Sequence, residues 1–191
     1  ASAIIGPGVA NYAKDIVATH MYVGSYLSLG ILTFVPTILF IFYKNTSIIK
    51  IKIKYSGRSY LELLSQPRYL QAIVASALGY AIMTFLMTAT PLSMHVMEGM
   101  SLNKTSTVIQ IHVACMFLPS LITGNLVKKF GHSKIMYAGV FLYSITIIAS
   151  FFEQTFNNYM FALIFLGLGW NFLFISGTSL LVLTYSEEET L

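Results

Sequence analysis

Apolar residues run through this chain in long unbroken stretches instead of alternating with polar ones. Five stretches, 21–43, 69–90, 105–127, 135–152 and 159–183, contain no Asp, Glu, Lys or Arg and together occupy over half of the 191 residues. A bilayer core about 30 Å thick is crossed by roughly 20 apolar residues wound as a helix. The period-2 alternation of a barrel strand is missing, so the pattern predicts an all-α chain with five membrane-spanning helices. A sixth apolar piece, 1–10, is too short to span. It has neither the basic start nor the cleavage site of a signal peptide and reads as the tail of a truncated helix.

Composition narrows the class further. Only 9% of residues are charged and 56% are hydrophobic, with a mean hydropathy of +0.74. A soluble domain carries about 25% charge, so a soluble globular protein is excluded. Disorder fails as well, because the chain holds 14 Phe and 12 Tyr. Cys115 is the only cysteine and Asp15 the only aspartate, and none of the seven acids lies inside an apolar stretch.

The net charge of +4 takes its meaning from its distribution. Segments 44–68 and 128–134 hold nine basic residues: Lys44, Lys50, Lys52, Lys54, Arg58, Arg68, Lys128, Lys129 and Lys134. The connections 11–20, 91–104 and 153–158 hold two, Lys14 and Lys104. Nine against two is a positive-inside signal that places 44–68 and 128–134 in the cytoplasm. The basic balance is therefore topogenic, and nucleic acid is not an expected partner. Glu187, Glu188 and Glu189 fall on the cytoplasmic side too, without conflict, since acids contribute little to orientation.

The long basic segment 44–68 is the predicted domain boundary. Residues 1–43 close one helical bundle, and 69–191 belong to a second. Within the segment, the Ile-Lys alternation at 49–54 predicts a short surface strand or an extended tether. Residues 59–64 predict a short helix that stops before Pro67.

Polar groups inside a membrane are costly, and each is a functional candidate. His112 is the only ionisable side chain other than Cys and Tyr within a predicted span, about 6 Å outward of that span's centre. Helical spacing puts it on one face with Thr105, Ile109, Met116, Ser120 and Thr123, while Gln110 lies on another. It is either a solute or proton contact or a neutral imidazole bonded to a neighbouring helix. Ser76, Tyr80, Thr84 and Thr88 recur at four-residue steps. Such a stripe either lines a water-filled cavity or supplies interhelical hydrogen bonds. Asn171 sits mid-span beside Trp170, with Gly167, Gly169 and Gly177 close by. An amide next to an aromatic ring suits a small-molecule site near the midplane, with helix packing as the alternative. Pro36 and Pro119 lie inside spans, where proline kinks are tolerated. His20, His95 and His132 are scattered at span ends, so no metal site is expected, and no cofactor.

Short motifs carry a resemblance. Gly6-Pro7 closing an apolar run resembles the Gly-Pro motif at the end of the fifth helix of major facilitator superfamily transporters, with Ser2 and Ala10-Asn11 where glycines are usual. The turn from Gly124 through Lys128, Lys129 and Gly131 to Lys134 resembles the family's Gly-x-x-x-Asp-Arg-x-Gly-Arg-Arg loop. Gly124, Lys129, Gly131 and Lys134 fit, while Lys128 replaces the acid of a gating salt bridge. The strings at 87–95, 112–120 and 167–172 look like a bacterial branch of drug- or metabolite-type transporters, relatives of which are linked to vitamin uptake such as riboflavin.

The resemblance implies helices 5 (its end) to 10 of a twelve-helix inner-membrane protein, with helices 1–4 and 11–12 of the same polypeptide as partners. It implies a secondary transporter moving a small organic solute by alternating access, with protons as the candidate coupling ion. Helices 7 and 10 of that fold line the cavity, which assigns Tyr80, Thr84, Trp170 and Asn171 to the solute, and His112 in the span between them is the candidate solute or proton contact. Gly6 and Pro7 would shape the outward end of their helix, and Gly124, Lys129, Gly131 and Lys134 the cytoplasmic gating turn. A non-transporting receptor or assembly subunit fits the composition equally well. An intramembrane enzyme fits poorly: Ser176-Gly177 and Ser179 lack the setting of a protease nucleophile, and a lipid transferase needs several membrane-level aspartates.

Overall fold

The computed structural model describes residues 6, 8, 9, 12–17, 22–42 and 58–185. The chain divides into two compact units, Ala1–Ile53 and Lys54–Leu191. All regular structure among the described residues is helical, and five helices are long and apolar enough to cross a membrane. The protein is an all-α, multi-pass membrane protein.

In the first unit, helix α1 spans Val23–Ile41. Tyr22 turns the chain into it with a left-handed φ of 71°. Gly24 is buried against the preceding turn, where the Ala13 carbonyl leaves no room for a Cβ. Ser28, Thr33 and Thr37 donate their hydroxyls to the carbonyls of Gly24, Gly30 and Thr33 at 2.8, 2.7 and 3.1 Å. The helix thus satisfies its own polar side chains, as a lipid-facing segment must. Gly6, Gly8 and Val9 are helical. Pro7, the 49–54 alternation and the 187–189 acids lie outside the described residues.

The second unit begins with the short helix α2, Tyr60–Leu64, which matches the predicted 59–64 element. A capping box starts it: the Ser59 hydroxyl accepts from the Glu62 amide, and the Glu62 carboxylate accepts from the Ser59 amide. Helix α3, Pro67–Leu92, has proline at its first position, where the missing N–H has no intrahelical role. It runs past Pro91 into a wider π turn at Ser93–Met97, so this crossing is longer than the predicted 69–90. Gly99, with φ 62°, ends it, and the Met100 amide donates back to the Met94 carbonyl at 2.8 Å.

The predicted span 105–127 is one crossing, Leu102–Phe130, interrupted at Leu118-Pro119 into α4 (Leu102–Phe117) and α5 (Ser120–Phe130). Pro119 has no N–H to give the Cys115 carbonyl, and the backbone breaks there. Helix α6, His132–Ala149, follows after Gly131, and α7, Phe156–Val182, starts from a Thr155 cap that accepts from the Asn158 amide.

Helix α7 is the hub, packing against α6, α3 and α4. Leu163, Leu166, Trp170, Leu173 and Leu180 form its buried stripe, against Val108, Val113 and Met116 of α4, Met136 and Tyr143 of α6, and Ala72 and Met83 of α3. Lipid is as apolar as leucine, so close packing and hydrogen bonds hold such helices together. Glycines supply the close approach. A Cβ at Gly167 would lie 2.7 Å from the His112 carbonyl of α4, and one at Gly177 would lie 3.0 Å from the Ala72 carbonyl of α3. Hydrogen bonds supply the rest. The Tyr143 hydroxyl donates to the Gly79 carbonyl at 2.7 Å, and Thr146 to that of Ala162 at 3.1 Å.

Candidate functional site

The polar stripe of α3 separates along its length. A four-residue step advances 40° beyond a full turn of an α-helix, so the stripe drifts around the cylinder. Ser76 is packed against Gly177 of α7. One turn on, Tyr80 is 52% exposed, and Thr84 and Thr88 are exposed beyond it. Packing against α7 and an open polar face are therefore features of opposite ends of the same stripe.

Tyr80 reaches the second candidate region through a residue that sequence spacing did not single out. Its ring centroid is 6.1 Å from that of Phe174. Phe174 stacks on Trp170 at 4.8 Å and 11°, and Phe117 meets the indole edge-on at 5.8 Å and 70°. Four aromatic rings from α3, α7 and α4 thus form one continuous row. Trp170 is buried in it, while Tyr80 and Phe117 are exposed at its two ends. The signal for Phe174 was its position four residues after Trp170, one turn along the same face. The indole Nε1 has no hydrogen-bond partner.

His112 is fully buried at the α4–α7 contact, with Nδ1 2.8 Å from the Leu163 carbonyl oxygen. A carbonyl only accepts, so Nδ1 carries a hydrogen. Nε2 has no partner. In a neutral ring that atom is an acceptor, and in a charged ring it is a second donor. His112 is not part of the aromatic row. Leu163 precedes Asn171 by eight residues, about 12 Å along α7.

Asn171 is also fully buried, and its polar atoms are engaged. Its Nδ2 donates to the Met116 carbonyl and to Ser120 Oγ, both at 2.7 Å. Its Oδ1 accepts from the Thr123 hydroxyl at 2.6 Å. The Met116 carbonyl can only accept, which fixes the orientation of the amide. All three partners flank the break at Leu118-Pro119.

At the basic end of the bundle, Gly131 has φ 86° and ψ 155°, a region essentially restricted to glycine. It lets α6 leave α5 in a single-residue turn. Lys128, Lys129 and Lys134 are exposed around it, with the Lys129 ammonium 5.3 Å from the Phe130 ring centroid. Gly124 and Gly6 face open space, with nothing within 4 Å of where a Cβ would stand. Nearby, Gln71 of α3 and Ser133 of α6 exchange hydrogen bonds at 3.0 and 3.2 Å.

Two cavities lie elsewhere. One of about 580 Å³ runs between α3 and α6 from Gln71 and Ser133 to Ile82 and Ile147. A smaller one of about 200 Å³ is lined by Thr90, Ser93, Thr146, Asn158 and Tyr159 among others. Neither includes Tyr80, Thr84, His112, Trp170 or Asn171.

Relatives exist among characterised and uncharacterised transporters. The chain is 34% identical over 190 residues to the riboflavin transporter RfnT of Brucella anthropi, covering 98% of this chain and 48% of that protein. It is 38% identical over 112 residues to the uncharacterised MFS-type transporter YddS of Bacillus subtilis, covering 57% of this chain and 25% of that protein. To YdeG, an uncharacterised MFS-type transporter of the same organism, it is 40% identical over 103 residues, or 53% of this chain and 24% of that protein. The chain therefore spans about half the length of the first relative and about a quarter of the other two. No family model and no solved structure matches it.

Proposed function

We propose that this chain, which belongs to the major facilitator superfamily, is the middle of a secondary transporter that moves a small organic solute by alternating access. The observation that carries the reading is the alignment with a riboflavin transporter along nearly the whole chain. The protein sits in the inner membrane, with 44–68 joining a bundle that ends at residue 43 to one that begins at 69. The turn at Gly124, Lys129, Gly131 and Lys134 is a cytoplasmic gate, and Gly6-Pro7 shapes the outward end of its helix.

The solute's contacts are Tyr80, Thr84 and the Trp170 row. The exposed Tyr80 ring, backed by Phe174 and Trp170, offers a flat apolar surface next to the Thr84 hydroxyl. Offset stacking of this kind is worth about 0.5–1.5 kcal/mol beyond area burial. The unpartnered Trp170 Nε1 and His112 Nε2 support polar contacts to solute or proton, because a buried group left unpaired costs about 1–3 kcal/mol. Protons are the coupling ion in this reading, with His112 as their contact on this chain.

Riboflavin is the first solute to test. Cells unable to make riboflavin, expressing the full-length protein, should grow at riboflavin concentrations that leave the control strain arrested. Growth indistinguishable from the control, with the protein present in the membrane, removes the flavin reading.

A further inference from the structure

The break between α4 and α5 creates a chemical problem that the structure solves from another helix. Pro119 has no N–H, so the Cys115 carbonyl loses its i+4 donor. The backbone resumes from a new start: the Leu121 amide donates to the Leu118 carbonyl at 3.2 Å, and the amides of Ile122 and Thr123 both donate to the Pro119 carbonyl at 2.9 and 2.8 Å. The interruption also parts the Met116 carbonyl from its helical donor, the Ser120 amide, and that carbonyl takes an amide hydrogen from the side chain of Asn171 on α7. That amide also donates to Ser120 and accepts from Thr123, one residue and four residues past the proline. Asn171 and Thr123 are both fully buried.

We propose that Asn171 is a positioning residue: it gives the Met116 carbonyl the donor that the Ser120 amide would supply in a continuous helix, and it holds α4 and α5 at a fixed angle through the transport cycle. It grips both sides of the break at once, Met116 above and Ser120 and Thr123 below. The α4 segment carries His112 and Phe117, and the α5 segment carries Gly124 and the Lys128–Lys129 end. The clasp therefore links the aromatic row to the basic turn through one side chain. Both amide hydrogens of Asn171 are in use and its buried oxygen already accepts from Thr123, which leaves a solute at most one acceptor lone pair there. The functional half of this inference rests on the transport reading above, whereas the clasp itself does not.

The test uses the full-length protein in liposomes, with amide hydrogen exchange and [³H]riboflavin uptake measured on the same preparations. Asn171→Ala should raise exchange at Ser120–Thr123 about tenfold and lower maximal uptake with KM changed less than about twofold. Adding Pro119→Ala should restore protection, because a helix continuous through 119 brings the Ser120 amide onto the Met116 carbonyl. A role in filling space alone would not be rescued by that second change. If Asn171→Ala does not fold, Thr123→Val is read instead and should raise exchange about threefold. Unchanged exchange in the variant that folds, or no rescue by Pro119→Ala, overturns the clasp, and a large rise in KM with exchange unchanged makes Asn171 a solute contact. If wild-type protein takes up no riboflavin while the exchange results hold, the clasp stands and the flavin reading falls.

Discussion

At His112 one ring nitrogen is bonded to the Leu163 carbonyl and the other is unpartnered. The two roles can be separated because asparagine places an N–H near the position of Nδ1 and nothing at Nε2. His112→Asn should keep the α4–α7 bond and hold the melting temperature within a few degrees, while lowering riboflavin uptake about tenfold. His112→Ala should lose both, with about 1–3 kcal/mol of stability gone with the unpaired carbonyl. Melting and uptake that fall together in both variants leave His112 a purely structural role. Tyr80 makes the complementary case. It is exposed, so Tyr80→Ala should shift stability by less than about 0.5 kcal/mol. Uptake kinetics should nevertheless show KM for riboflavin raised about tenfold, equivalent to one lost stacking contact. At this scale the sequence marks which polar groups are unusual but not what they touch. His112 and Asn171 stand out because a polar side chain in an apolar run is rare. Their partners are backbone carbonyls and hydroxyls of other helices, fixed by tertiary register and invisible to composition. Phe174 is hidden differently, as one of 14 phenylalanines.

Among the elements, helix count and order follow from the apolar stretches, since a segment crossing lipid must satisfy its backbone internally. The ends follow less well. Capping by Thr155 and by Ser101 adds polar turns at the starts of α7 and α4 that an apolar window leaves out. Pro91 and Pro119 have different outcomes for the same chemistry: the first stays inside α3, two residues before the π turn, and the second interrupts a crossing. Both regions find a partner on α7. Ser93 meets the Tyr159 hydroxyl at 2.7 Å, whereas the second break receives the Asn171 side chain. Gly131 is the element-scale position whose substitution is easiest to foresee. Its φ and ψ suit glycine alone, so Gly131→Ala should cost about 1–3 kcal/mol, read as a lower melting temperature of the purified protein. Uptake should fall further than the loss of stability alone explains, because the same turn sets the approach of α5 to α6. Gly124→Ala meets no atoms and should leave the melting temperature unchanged.

On the scale of the whole molecule, scarcity of charge is what made the class legible, and its asymmetry gave an orientation. That orientation has a direct check. With Cys115 replaced by Ala, cysteine at Asn103 should react with a membrane-impermeant maleimide in intact cells. Cysteine at Ser133 should react only after the membrane is opened. The reverse pattern would invert the topology and with it the cytoplasmic assignment of the basic turn. The five candidate residues did not gather into one pocket: Tyr80 and Trp170 share an aromatic row, while His112 and Asn171 serve separate helix contacts. Helical periodicity places residues on faces of one helix, and whether two faces meet depends on packing around α7. The most direct measurement is [³H]riboflavin entry into liposomes preloaded with unlabelled riboflavin and containing the full-length protein. The account predicts transient accumulation of label above the external concentration, reduced at subsaturating riboflavin by Tyr80→Ala. Label that enters no faster than into protein-free liposomes would contradict the proposal that this chain carries a flavin across the membrane.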